Sequence, residues 1–148
     1  MTFSAQLDIN QTLAIPTNML STAHSVSFKI VGVNGGFTEV SGLLTLEEQA
    51  LKLELESADA IVGILRSDVK EIAIPFDRIR KVTLNSSFFK GTKLLIQTMS
   101  LADLSEVPGS KSGQVTLNIK RNDKPDAVAF NSAFQLAFSE YRLSKMDE

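Results

Sequence analysis

Two phenylalanines stand side by side, Phe88 and Phe89, inside a stretch otherwise built like a turn, Ser86-Ser87-Phe88-Phe89-Lys90-Gly91-Thr92-Lys93. Aromatic rings at a hairpin tip beside Lys90 and Lys93 have the chemistry to enter an anionic membrane surface or to anchor a partner protein. The ordinary alternative is packing, with at least one ring folded back to cap the end of a barrel. Arg78, Arg80 and Lys81 lie just upstream. The candidate partner or membrane contact therefore comprises Phe88, Phe89, Lys90, Lys93, Arg78, Arg80 and Lys81.

Catalytic chemistry has little to work with. The chain holds 0 Cys and 1 His, so thiol catalysis, disulfides, zinc knuckles and iron–sulfur ligation are excluded. His24 neighbours Ser25 in sequence, but a nucleophile and its base need hydrogen-bonded geometry and a third orienting group. Glu54 and Glu56 share one face of a strand, yet they alternate with leucines and are expected to face solvent. A carboxyl there lacks the burial that would raise its pKa for acid work. No loop spaces its carboxylates as a calcium site does, so no metal is expected. Gly32, Gly35 and Gly36 miss the dinucleotide spacing, and Gly109-Ser110-Lys111-Ser112-Gly113 lacks the Gly-Lys-Ser/Thr order of a phosphate loop. No catalytic residue and no cofactor follow from these residues.

The charges are more informative than their sum. Lys+Arg 15 against Asp+Glu 17 gives −2, without the broad basic footprint of a nucleic-acid binder. That near-neutrality is a cancellation. Six acids and one base (Lys52) lie between Glu39 and Asp59, whereas five bases and one acid (Asp77) lie between Ile72 and Ala102. Opposed faces of this kind suit head-to-tail self-association; the alternative is a pair of ordinary solvated strand faces.

The elements that must position these residues are mostly strands. A chain of 148 residues fits one domain. Val26, Phe28 and Ile30 alternate with Ser27 and Lys29, the period of a half-buried strand. Asn34-Gly35-Gly36 reads as a tight turn and a second strand follows over Phe37 to Leu46. Leu51, Leu53 and Leu55 alternate with Lys52, Glu54 and Glu56, a pattern that no amphipathic helix fits. Further strands are expected near Ile61–Leu65, Val69–Ile74, Arg80–Asn85 and Lys93–Thr98, with a corner at Pro75–Ile79. Residues 100–114 read as a loop with a short helical turn around Leu101, Leu104 and Val107. Val115, Leu117 and Ile119 form the last strand. Residues 1–24, with one charged residue (Asp8), read as an arm that either docks or stays partly disordered.

The end of the chain switches period. Phe130, Phe134 and Phe138 fall at i, i+4 and i+8 with Ala127, Ala137 and Tyr141 on or beside that stripe, and Pro125 suits a first helical turn. Arg142 and Lys145 sit where cations favour a helix C-terminus. Burying one Phe contributes roughly 1.5–3 kcal/mol, so this helix is expected to anchor the core. The expected fold is mainly β with one C-terminal α-helix, a bent antiparallel sheet or open barrel of about seven strands capped by that helix.

That order resembles pleckstrin-homology-like (PH-like) domains, and its local wording is similar to small bacterial PH-like and GRAM-like proteins. The resemblance rests on Val40-Ser41-Gly42-Leu43-Leu44, Leu51-Lys52-Leu53-Glu54-Leu55, Ile72-Ala73-Ile74-Pro75 leading through Ile79 to Val82, Leu94-Leu95-Ile96, and the 115–119 strand with its Phe-striped helix. It covers residues 25–145. It implies binding rather than catalysis: phosphoinositides, peptides or partner proteins, with self-association among bacterial members. The phosphoinositide-binding members carry Lys and Arg around the first hairpin loop. Here that loop, Gly32 to Glu39, has no basic residue, and phosphate recognition needs several charge-assisted hydrogen bonds.

The expectation is thus an arm over 1–24 and a single PH-like domain over 25–148. It is expected to act as a non-enzymatic module through self-association or a protein partner, without nucleic acid. The alternatives are a peripheral membrane or lipid-binding module and a small-molecule carrier. No positive leader region precedes Lys29 and no apolar run approaches the ~20 residues that span a bilayer, so a cytoplasmic location is expected.

Overall fold

Apolar residues at every second position give each strand one face for the core and one for water. In the computed structural model, which describes residues 24–36, 38–59 and 69–147, this produces β1 (Ser25–Val33), β2 (Thr38–Leu46), β3 (Ala50–Asp59), β4 (Lys70–Pro75), β5 (Ile79–Ser87), β6 (Gly91–Thr98) and β7 (Gln114–Ile119). One long helix, α1 (Lys124–Met146, 23 residues), closes the chain. The arm expected over 1–24, apart from His24, and the strand expected over Ile61–Leu65 lie outside the described residues.

The seven strands form one antiparallel sheet in the order β4-β3-β2-β1-β7-β6-β5. The sheet is open, with β4 and β5 as its edges. β1 joins the two halves, pairing with β2 along most of its length and with β7 at Lys29↔Asn118. The strand ends exceed the sequence expectation where pairing carries them on. β3 continues past Leu55 because Thr38 of β2 pairs with Asp59.

Phe28, Leu44, Leu53, Ile74, Leu94, Ile96 and Leu117 point into the core from six strands, and α1 lays Ala127, Phe130, Phe134 and Phe138 over them. The expected corner after Pro75 is a 3-10 turn over Phe76–Arg78. It aims Phe76 under the helix, where its ring meets Phe134, Phe138 and Tyr141 edge-on at 5.7, 5.6 and 5.5 Å. Gly42 is required by a close approach. A Cβ there would lie 2.2 Å from the Glu54 carbonyl oxygen and 2.7 Å from the Phe28 ring. The absent side chain is the seat of the Phe28 ring on the opposite strand.

The expected helical turn in the 100–114 loop is a 3-10 helix over Leu101–Leu104. Leu104 and Val107 are buried. Gly109 adopts φ +78°, and a Cβ there would meet the Ile30 methyl at 2.7 Å, so this loop packs tightly on β1.

Candidate functional site

The β5–β6 hairpin closes at the Ser87↔Gly91 pair, leaving Phe88, Phe89 and Lys90 as a three-residue loop. Gly91 supplies the left-handed φ of +76° that such a loop needs. The Lys90 N–H donates to Ser87 Oγ at 3.3 Å, and the Ser86 and Thr92 hydroxyls meet at 3.3 Å below it. The loop is thus braced by its own hydroxyls. Neither ring folds back. Phe88 is 85% exposed and Phe89 92%, and the two meet edge-on with centroids 5.1 Å apart. Packing of at least one ring, the ordinary alternative, is not what the fold does: a three-residue tip projects beyond the sheet and has no interior side.

Beside the tip runs a groove of about 280 Å³, lined among others by Phe88, Thr92, Ile119, Arg121 and Lys124. Arg121 and Lys124 belong to the junction between β7 and α1, more than thirty residues downstream of Phe88 in sequence. They come to the groove at Phe88 because β7 lies next to β6. Sequence reasoning missed both, since only the strand order brings them here.

The upstream cations are elsewhere. From Lys81 to Phe88 an extended chain covers roughly 23 Å at ~3.3 Å per residue, so Arg80 and Lys81 sit at the opposite end of β5. Ile79 pairs with Thr98 and Lys81 with Gln97, which makes Arg80 the extra residue of a β-bulge. The bulge breaks the alternation and exposes Arg80 and Lys81 in succession. The candidate set thus divides into a tip group (Phe88, Phe89, Lys90, Lys93) and a base group. Lys93 is exposed on β6, opposite Asn85 and Asn118.

Arg78 belongs to the base group and is engaged internally. Its Nε donates to Asp103 Oδ1 at 3.0 Å and its Nη2 to Asp103 Oδ2 at 3.1 Å and Ser100 Oγ at 3.3 Å. Ser100 also donates its N–H and its hydroxyl to Asp103. The bidentate hydrogen bond from Arg78, helped by the Ser100 donors, holds the Asp103 carboxyl below its ordinary range, and Asp103 in turn raises Arg78. This pair ties the Phe76–Arg78 corner to the 3-10 helix of the 100–114 loop.

Part of the acidic half is ion-paired. Lys52 stands 3.8 Å from both Glu47 and Glu54. Lys29, the cation nearest the first hairpin loop, is ion-paired with Glu39. Glu54 and Glu56 lie half-buried beside a groove of about 430 Å³. His24 contributes a backbone carbonyl to the Leu46 N–H at 2.8 Å. Among the described residues no three His, Asp or Glu gather as a metal site would need. No described helix is long and apolar enough to cross a membrane.

Comparison of the chain with protein-family models, curated proteins and solved structures finds no match.

Proposed function

We propose that the chain is a non-enzymatic interaction module of PH-like fold, acting through self-association or on a protein partner, with the β5–β6 tip as a contact element. One observation carries the reading: both tip rings stand in water. Burying a Phe is worth roughly 1.5–3 kcal/mol, and this hairpin forgoes that twice while bracing the loop that displays them. The strand order ending in one core-packed helix supports the PH-like part. The ion-paired Lys29 and the first loop, which carries no base, support a ligand other than a phosphoinositide there. A cytoplasmic setting, in keeping with 0 Cys, is part of the same proposal. Solution mass at low and high salt tests self-association, with a mass above 16.1 kDa expected. A strict monomer in both conditions removes it.

A second reading has its own observation. Arg121 and Lys124 line the groove at Phe88, two cations beside an exposed ring, which is what an anionic membrane surface would meet. Co-sedimentation with phosphatidylglycerol vesicles tests it, with binding lost in Phe88→Ser/Phe89→Ser. Absence of binding, or binding unchanged in that variant, eliminates the membrane reading. With Phe76, Phe130 and Phe134 buried inside the sheet, a small-molecule carrier would have to use an open groove such as the one beside Glu54 and Glu56.

A further inference from the structure

The inner side of α1 is occupied by Phe130, Phe134 and Phe138. Its outer side is not the polar face that a helix covering a core ordinarily shows to water. Ala129, Ser132, Leu136, Ser139, Leu143 and Met146 follow one another at spacings of 3, 4, 3, 4 and 3, the repeat that lines up a seam between two helices. All six are exposed, Leu136 by 64%, Leu143 by 62% and Met146 by 79%, with Val128 alongside. At 100° per residue this seam lies on the side of the helix opposite the Phe stripe.

The order of sizes along the seam identifies the occupant. Read forward it runs small, small, large, small, large, large. Read backward it is the complement of itself. A second copy laid antiparallel sets Leu136 against Ser139, Leu143 against Ser132 and Met146 against Ala129, so each large side chain enters the space left by a small one. Both copies do this at once under a two-fold axis, as an isologous interface requires. At the flanks Arg142 faces Gln135 and Glu140 faces Ala133, and the one like-charge pair, Asp126 against Asp147, falls at the exposed ends of the seam.

A parallel pair would instead stack Leu on Leu and Ser on Ser, alternately crowded and empty. It would also lean on an ion pair between Arg142 and Asp147. The Arg142 guanidinium is already held over the Phe138 ring at 4.3 Å and donates to the Arg80 carbonyl at 3.0 Å.

From these observations we infer that a second copy of this chain binds the outer face of α1, antiparallel and two-fold symmetric. The inference rests on, and deepens, the self-association reading. A seam of eighteen residues is about 27 Å long at 1.5 Å per residue. It buries on the order of 1,000 Å² in all, close to the ~1,200 Å² lower bound of stable interfaces. An area at that low end fits a weak, reversible dimer held by apolar contact, which charge screening should not weaken.

Sedimentation of the full chain across the micromolar range is the test. The mass should rise with concentration toward twice 16.1 kDa, equally at low and high salt. Leu136→Glu should hold it at the monomer, and at concentrations too low for dimer it should melt with the parent, because Leu136 is largely exposed and supports nothing in the core. The chain has 0 Cys, so orientation can be read by oxidation. Ala129→Cys and Met146→Cys proteins, mixed, should cross-link to each other. Ala129→Cys alone should not, because its two copies would lie roughly 26 Å apart, far beyond disulfide reach. A monomer at every concentration, a dimer that survives Leu136→Glu, or self-linking of Ala129→Cys each overturns the inference. A dimer lost at high salt or in Phe88→Ser/Phe89→Ser, yet kept in Leu136→Glu, overturns the helix seam and leaves self-association standing on another surface.

Discussion

Phe76 and Phe88 each meet a neighbouring aromatic ring edge-on at 5 to 6 Å, yet Phe76 is 2% exposed and Phe88 85%. Ring geometry therefore does not decide burial; backbone placement does. Phe76 follows Pro75 into a corner beneath α1, where three aromatic partners and the sheet surround it. Phe88 sits in a loop of three residues that projects past the sheet. An edge-to-face pair adds ~0.5–1.5 kcal/mol beyond area burial. In the core that increment is secondary to the area itself. At the tip it is all the pair has, and it orients two apolar rings together toward solvent.

Substitutions sharpen this contrast, beginning with the largest effect. Phe134→Ala removes a fully buried ring that touches Phe76 and Phe138, and should cost about 3–5 kcal/mol in urea unfolding. A loss under about 1 kcal/mol would mean the helix does not anchor the core. Gly42→Ala forces a methyl against the Glu54 carbonyl and the Phe28 ring. It should cost about 1–3 kcal/mol in the same measurement, and a neutral result would contradict the close packing of β1, β2 and β3.

Asp103→Asn loosens the corner that seats Phe76. The Asp103 carboxyl has a lowered pKa in the folded chain. Its contribution is therefore complete above the unfolded value near ~3.9 and is lost as pH falls through the lower folded value. The variant should melt below the parent at neutral pH, and the gap should close in strong acid. A gap that persists there would assign the effect to something other than the ion pair. Phe88→Ser/Phe89→Ser should change stability by no more than about 0.5 kcal/mol, because those rings are buried against nothing. A larger loss would place the tip rings with Phe76, as structural groups.

Much of the fold was legible because alternation is a local signal. Leu51, Leu53 and Leu55 announce their strand, and the Phe130–Phe134–Phe138 spacing announces the helix and its inner face. The corner after Pro75 was legible for the same reason, since Pro lacks the N–H a strand would use. The candidate site was only half legible. The aromatic tip is written in consecutive residues, but Arg121 and Lys124 reach it through strand order. Arg78 finds Asp103 across 25 positions, and no spacing rule links them. The bulge at Arg80 is invisible to a period-two reading because it is the point where the period fails. The outer seam of α1 is present in the sequence as a 3-4 repeat, but the stronger Phe stripe of the same helix masks it until exposure separates the two.

The edge strand β5 carries one more consequence. Gln135 donates to the Val82 carbonyl at 2.9 Å and Arg142 to the Arg80 carbonyl at 3.0 Å. These are backbone acceptors on the rim of the sheet, where an incoming strand would otherwise hydrogen-bond. The helix occupies them, the bulge at Arg80 twists that stretch, and Arg80 and Lys81 charge it. On the opposite rim β4 ends in Pro75, which offers no donor. The β5 border is thus defended against strand addition along this stretch, and the β4 border at its Pro75 end. If two copies pair as inferred, through a helix face that is its own mate, that pairing ends at two copies and leaves the sheet edges out of it.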